Sequence, residues 1–198
     1  MRINQSGLRA ELGKKISPII KKKMHSKILV AARKAEQALI SAFEGHPVTK
    51  EIEAGSGASN TSGTLGGYGN LFSYIGFSDS DNPIEVIRSL LKNSIQISIL
   101  PSDHKEMIEN FVISLPSKAE IEEATPMPWA QGRSWVEGIE KGISGLGRYI
   151  HSRNRSIGRS GSGAQAEGSV RSSSFRSTAY LSELLKSLNE TLRREMRL

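Results

Sequence analysis

The chain is 198 residues long, which is enough for one complete hydrophobic core. It contains no cysteine, which excludes disulfides and thiolate chemistry, and it has no apolar run near the ~18 residues of a membrane span. Its net charge of +7 is uneven, because residues 1–34 carry +9, residues 35–132 carry −8 and residues 133–198 carry +6. This pattern is compatible with nucleic-acid binding, with contact between the basic end of one copy and the acidic middle of the next, or with solvated helix faces.

The first predicted element is a long amphipathic helix over Ile16–Phe43, where apolar residues recur at three- and four-residue spacing. The serine–proline pair at 17–18 predicts its start, as N-cap and first helical residue, and Gly45 predicts its end. Alanines at positions 31–38 permit the close approach of another element. That element is either part of the same molecule, such as a sheet, or a helix of a second subunit.

A glycine-rich segment, residues 55–70, is the most informative stretch of the chain. It contains six glycines and lies between a weak predicted strand, Val48–Ala54, and a stronger one, Leu71–Phe77. Glycine adopts positive φ at low cost but loses the most conformational freedom on ordering. The segment therefore suits a sharply bent loop, or an arm that orders only against a partner.

The middle of the chain predicts short helices and one antiparallel pair of strands. Proline, serine and aspartate mark the turns, and isoleucines alternate with polar residues in the strands. The predicted elements are a helix at Ile84–Leu91, strands at Ile95–Ile99 and Met107–Leu115, an acidic helix opened by a capping box at Ser117–Glu120, and a helical segment at Ser134–Lys141.

Three segments complete the chain. Tyr149–Ile150 is a candidate short strand, and Ser152–Phe175 is a low-complexity loop or arm rich in serine and glycine. Ser177–Met196 predicts a helix, because its leucines lie on one face.

Together these elements predict a single α+β domain over residues 1–198. Long N- and C-terminal helices surround a small, mostly antiparallel sheet, and two flexible Gly/Ser-rich loops or assembly arms occupy residues 55–70 and 152–175. The polar start of the chain is unlike a secretory signal.

Residue types used in catalysis occur without catalytic spacing. The four histidines form no zinc-binding pair, and the glycine segment matches neither phosphate-loop pattern. The acid pairs are Glu51/Glu53, Glu106/Glu109 and Glu120/Glu122/Glu123, and their ordinary role is a solvated face. We therefore expect no enzyme, no catalytic residue, no cofactor and no metal, although an acid pair buried by folding would revive a hydrolase or transferase.

Two basic clusters favour sequence-independent contact with nucleic acid. The first lies on or just before the N-terminal helix and comprises Lys14, Lys15, Lys21, Lys22, Lys23 and Lys27. The second, in the low-complexity arm, comprises Arg153, Arg155 and Arg159. Because this low-complexity segment lacks interleaved aromatic residues, contact would be with the backbone of the nucleic acid.

Trp129 and Trp135 bracket the sequence PWAQGRSW. Tryptophan is favoured in protein cores and at interface hot spots. Core packing is the ordinary role, and the flanking proline favours Trp129 as the anchor of a contact.

The order of these features resembles the neck, tail-completion and minor tail proteins of tailed bacteriophages. The resemblance rests on HPVTKEIEAG at His46–Gly55, SGTLGGYGNLFSYIGF at Ser62–Phe77, SWVEGIEKGI at Ser134–Ile143 and FRSTAYLSELL at Phe175–Leu185. It spans most of the chain, which departs from the usual pattern in its long Gly/Asn insertion before Ser62.

The resemblance implies a structural virion protein, made in the host cytoplasm, that forms part of a neck or tail-completion ring around the DNA channel. Its partners would be copies of itself, other connector, neck or tail proteins, and DNA bound without sequence preference, with no membrane. The assembly residues would be Gly63, Thr64, Leu65, Gly66, Gly67, Tyr68, Gly69, Asn70, Trp129, Trp135, Arg153, Arg155 and Arg159. The alternative is a sequence-independent nucleic-acid-binding protein that uses the basic N-terminal helix and the Arg-rich loop.

Overall fold

A computed structural model describes residues 5–65, 69–92, 95–99, 111–128, 130–142 and 175–196. Within these residues the fold is α+β, as predicted, with seven α-helices and two small antiparallel sheets. The helices are α1 Gln5–Gly45, α2 Pro47–Glu53, α3 Leu71–Ile75, α4 Pro83–Lys92, α5 Lys118–Ala124, α6 Trp135–Lys141 and α7 Leu181–Glu195. The strands are β1 Gln96–Ile99, β2 Phe111–Ser114, β3 Pro126–Met127 and β4 Ala130–Ser134. No helix in the described ranges has both the length and the apolar character needed to cross a bilayer.

Helix α1 is longer than the sequence pattern predicts. It begins at Gln5 and contains Pro18 within it, whereas the serine–proline pair predicted a start near Ile16. Proline in a helix interior costs about 3 kcal/mol, since it removes one backbone hydrogen bond. Good helix formers on both sides of the proline, including Leu8–Leu12, favour continuation of the helix through it.

The core is built around the second half of α1, which packs against α7, and it includes buried side chains of helices α2 to α6. Ala32, Ala35 and Leu39 are buried on α1, and the two helices run antiparallel, since Lys34 Nζ lies 3.3 Å from Glu195 at one end while Phe43 stacks on Tyr180 at the other. Ala32 and Ala35 therefore pack within the molecule, against a helix rather than the sheet that the sequence suggested, whereas Ala38 is exposed.

Two predicted strands are helices. Val48–Ala54 corresponds to α2, where His46 Nδ1 accepts a hydrogen bond from the Val48 N–H at 3.2 Å. Leu71–Phe77 corresponds to α3, where Asn70 caps the first turn and Gly76, at φ 90°, ends the last. Short apolar runs fit a strand or a helix equally well, and here the capping residues decide.

The other predicted elements of the middle are present in the described residues, and positions 107–110 of the second predicted strand lie outside them. Strands β1 and β2 pair antiparallel, with Gln96 opposite Ser114 and Ile99 opposite Phe111. The capping box of α5 forms as predicted, because Ser117 and Glu120 each bond the other's backbone N–H. The β3–β4 pair was not predicted. The candidate strand at Tyr149–Ile150 lies outside the described residues.

Candidate assembly surfaces

The N-terminal part of α1, residues 5–30, extends beyond the packed core, and we call it the arm. Its described side chains between Lys15 and Val30 are exposed or half-buried, and the first buried one is Ala31. Twenty-six helical residues span about 39 Å at ~1.5 Å each. The arm is therefore long enough to reach a neighbouring molecule.

The arm is both basic and apolar. Ile16, Ile19 and Val30 are 38%, 69% and 54% exposed. At 3.6 residues per turn they lie within about 60° of one another around the helix. Residues 14–34 carry eight Lys/Arg and no acid. A surface of this kind suits an apolar partner with acidic groups around it.

The predicted basic cluster lies on this arm. Lys15, Lys22, Lys23 and Lys27 are exposed, and Lys21 is half-buried. The side chain of Lys14 lies outside the described residues. The structure therefore brings the described lysines of the cluster onto one projecting helix, where they are accessible to a partner.

An apolar groove lies where the arm leaves the core. It is a half-open cavity of about 650 Å³, lined by Met24, Ile28 and Ala31 of α1 together with Met196 at the end of α7. The apolar stripe of α1 that α7 covers thus continues past the end of α7. The sequence predicts both helices, but it does not predict that α7 ends before it covers the apolar side chains of α1 around Met24 and Ile28.

A buried carboxylate holds the glycine-rich segment to the core. Glu51 is 1% exposed, and its two oxygens accept hydrogen bonds from the backbone N–H groups of Ser62 and Leu71, both at 2.7 Å. Asn70 Nδ2 donates to the Ser56 carbonyl at 2.9 Å. We call these contacts the glycine clasp, because they close both ends of a loop that the sequence predicts to be flexible.

The segment that precedes α7 is bonded to the same region. The Arg176 N–H donates to the Thr64 carbonyl at 2.8 Å, and the hydroxyls of Thr64 and Thr178 lie 3.3 Å apart. Next to them, the hydroxyls of Thr49 and Tyr180 share a hydrogen bond of 2.8 Å, and burial raises the pKa of Tyr180. The N-terminal and C-terminal parts of the chain are therefore joined through buried hydroxyls.

The predicted assembly residues of the glycine segment divide into two groups. Thr64 and Leu65 are buried and Asn70 caps α3, so these three stabilise the monomer. Gly63 and Gly69 are exposed and both have φ 68°, a conformation that favours glycine. Residues 66–68, which include Gly66, Gly67 and Tyr68, lie outside the described residues.

Trp135 is a core residue and not a surface anchor. It is 2% exposed, and its ring contacts Phe77 edge-on at 5.7 Å and Tyr180 at 6.4 Å. Its side chain has no surface left for a second chain, because α6 turns it inward. Trp129 lies outside the described residues, as do Arg153, Arg155 and Arg159.

A cluster around Arg88, which the sequence did not reveal, connects three helices. The Arg88 guanidinium of α4 bonds the carboxylates of Glu44 on α1 and Glu53 on α2, and also Glu85 on its own helix. The hydrogen bond from Arg88 lowers the pKa of Glu44. Both members of the Glu51/Glu53 pair thus have structural partners.

The remaining acid pairs give no catalytic arrangement among the described residues. Glu120 serves the capping box of α5, and Glu122 pairs with Lys118. Glu106 and Glu109 lie outside the described ranges. No group of three or more His, Asp and Glu side chains in the described part of the chain is placed to hold a metal ion.

Comparison of the chain with protein-family models, curated proteins and solved structures finds no match in any of the three.

Proposed function

We propose that this chain is a structural assembly protein that binds copies of itself through the arm. The observation that carries the proposal is that the described side chains of α1 from Lys15 to Val30 are exposed or half-buried, with Ile16 and Ile19 exposed among lysines. Isolated helices are marginal in water, so a projecting helix gains stability from a neighbour. Complete burial of a fully exposed isoleucine contributes about 1.5–3 kcal/mol, and Ile16 and Ile19, at 38% and 69% exposure, can each contribute a fraction of that to a contact.

The assembly that we propose is the neck or tail-completion ring of a tailed bacteriophage. The resemblance in sequence supports this assignment, and so does the division of charge between a basic arm and an acidic middle. Contacts between unlike surfaces of identical subunits close into rings when the rotation permits. Lysines that do not face a neighbour would be available to the DNA that passes through such a ring.

Sedimentation velocity of the full chain tests this proposal. We expect the wild type to form a discrete oligomer that dissociates at high salt, because the arm is basic. We expect Ile16→Ser/Ile19→Ser to remain a monomer with the helical circular dichroism spectrum of the wild type, since both side chains are exposed. Ala42→Ser, an exposed position on the same helix outside the arm, is the matched control. A wild type that is monomeric at every concentration and salt would refute the proposal.

A second candidate function is sequence-independent binding of nucleic acid by the arm. The exposed side chains of Lys15, Lys22, Lys23 and Lys27 favour it. Four phosphate contacts would give a slope of about −3.6 for log K against log salt on duplex DNA. Replacement of these lysines by glutamine should abolish that slope, whereas glutamine at Lys50, Lys92 and Lys186 on the body should not. Fluorescence anisotropy with two unrelated duplexes measures both slopes.

A further inference from the structure

The large apolar side chains that are exposed within the described residues fall in two regions. Ile16, Ile19 and Val30 lie on the arm. The other two are Val86 on α4, which is 47% exposed, and Val112 on β2, which is 40% exposed. The second pair lies beside a groove in the acidic middle of the chain.

This second groove, which we call the body groove, lies between α4, the β1–β2 hairpin and the start of α5. It has a volume of about 390 Å³ and opens to the surface. Its lining combines apolar and polar side chains, namely Leu90, Gln96, Ser114, Leu115, Pro116 and Glu120.

Val86 and Val112 lie on two of the elements that form the body groove. Val86 precedes Leu90 by one helical turn, so both lie on the same face of α4. Val112 precedes Ser114 by two residues on β2, so both point to the same face of the hairpin. Each valine therefore lies on the same face of its helix or strand as one residue that lines the body groove.

The charges of the two regions are opposite. The elements that form the body groove, within the described residues 79–92, 95–99 and 111–124, carry six acids and three Lys/Arg, a net charge of −3. Residues 14–34 of α1 carry +8. One of these three bases, Arg88, is bonded to three carboxylates, of which Glu85 is one of the six acids counted here. An arm paired with a second arm would instead bring like charges together.

We propose that the body groove of one copy receives the arm of the next copy, with Ile16 and Ile19 against Val86 and Val112. This inference rests on the proposed self-assembly and names the surface that accepts the arm. The contact is heterologous, since each copy offers one arm and one groove. At about 39 Å the arm reaches beyond its own core, so one copy can engage the next without distortion of its core.

Mixing two variants tests the pairing. Ile16→Ser/Ile19→Ser removes the apolar arm surface and keeps the groove, whereas Val86→Lys/Val112→Lys blocks the groove and keeps the arm. All four side chains are exposed, so we expect both variants to keep the wild-type fold by circular dichroism, with the thermal midpoint lowered only by loss of the oligomer. Each alone should be a monomer. An equimolar mixture should form a one-to-one dimer and nothing larger, because only one arm and one groove remain functional.

Three outcomes overturn the inference while leaving self-assembly intact. The first is that the groove variant alone forms dimers, which would indicate that arm pairs with arm. The second is that the mixture stays monomeric although the wild type assembles. The third is that the arm binds vesicles of phosphatidylglycerol while the mixture forms no dimer, which would indicate that its partner is a lipid surface. A monomeric wild type would refute the proposed function itself.

Cross-linking gives a second readout in the intact oligomer. Because the chain has no cysteine, introduced cysteines are the only thiols. Ile19→Cys/Val112→Cys should form disulfide-linked chains of several copies on mild oxidation. Ala42→Cys/Val112→Cys should not, since position 42 lies outside the arm. Equal cross-linking of the two variants would contradict the docking geometry.

Discussion

Replacement of Glu51 by glutamine tests the glycine clasp most sharply. The carboxylate is buried and accepts two backbone N–H groups, from Ser62 and Leu71, at 2.7 Å each. Hydrogen bonds to a charged group contribute about 1.5–3 kcal/mol each. Glutamine keeps the side-chain volume and one acceptor oxygen, but its second position is an NH₂ group. That group is a donor, so it cannot accept the hydrogen bond of the second backbone N–H. One strong bond is lost and one buried N–H is left unpaired.

We therefore expect Glu51→Gln to lower the free energy of unfolding by about 2–4 kcal/mol. For a chain of this size that corresponds to a fall in thermal midpoint of about 4–16 °C. Urea denaturation followed by circular dichroism measures the free energy. Hydrogen exchange gives the local readout, because the amides of Ser62 and Leu71 should lose protection before the rest of the core.

Glu190→Gln is the matched control. Glu190 lies exposed on α7, so the same substitution there should change stability by no more than about 0.5 kcal/mol. If Glu51→Gln is as stable as this control, or if the two amides keep their protection, the carboxylate does not hold the loop.

Three further predictions concern the residues around the clasp. Tyr180→Phe removes the hydroxyl bonded to Thr49 and leaves a buried threonine unpaired, so urea denaturation should show a loss of about 1–2 kcal/mol that Thr49→Val in the same chain partly restores. Burial lowers the pKa of His46 below 6.5, an effect offset in part by Glu183 and the Ala179 carbonyl. The neutral ring is then favoured in the fold, so this stability is present above pH 6.5 and is lost as the pH falls through the folded-state pKa. The thermal midpoint of the wild type should accordingly decrease as the pH is lowered from about 7 to about 5, and that of His46→Asn should decrease less. If the midpoints of the two proteins depend on pH equally, His46 does not have this role. Gly76→Ala should cost about 1 kcal/mol, since Gly76 ends α3 at φ 90°, whereas Gly45→Ala, with open space around the new methyl group, should cost nothing measurable.

Sequence patterns predicted the fold best where local signals agree with tertiary packing. The regular leucines of α7 and the capping box at Ser117 both mark helices that the structure contains. The pattern was ambiguous at α2 and α3, because a run of five to seven apolar and polar residues fits either period. The decisive signals there were the caps His46 and Asn70, which bond the backbone of the next turn.

The candidate surfaces could be predicted only in part. The lysine cluster and the glycine segment are visible in the sequence, but the clasp is not. Glu51 bonds backbone groups 11 and 20 residues away, and no side-chain pattern marks an acceptor of backbone N–H groups. Likewise, the arm is exposed because α7 ends opposite Lys34, which is a property of the packed pair and not of either helix.

The body groove could not be predicted from the sequence either, because it depends on contacts between elements that are distant in the chain. It is formed by α4, the hairpin and α5, and residues such as Leu90, Ser114 and Glu120 come together there only through the fold. An exposed valine in a short helix or strand is indistinguishable by sequence from one that points to the core.

Peptide mass spectrometry of purified, nuclease-treated particles from the source culture tests the central claim most directly. We expect this chain to be present at a fixed ratio to the other particle proteins, as a ring component must be. If the chain is abundant in the cells but absent from the particles, the proposed virion role is contradicted and nucleic-acid binding by the arm becomes the function to test.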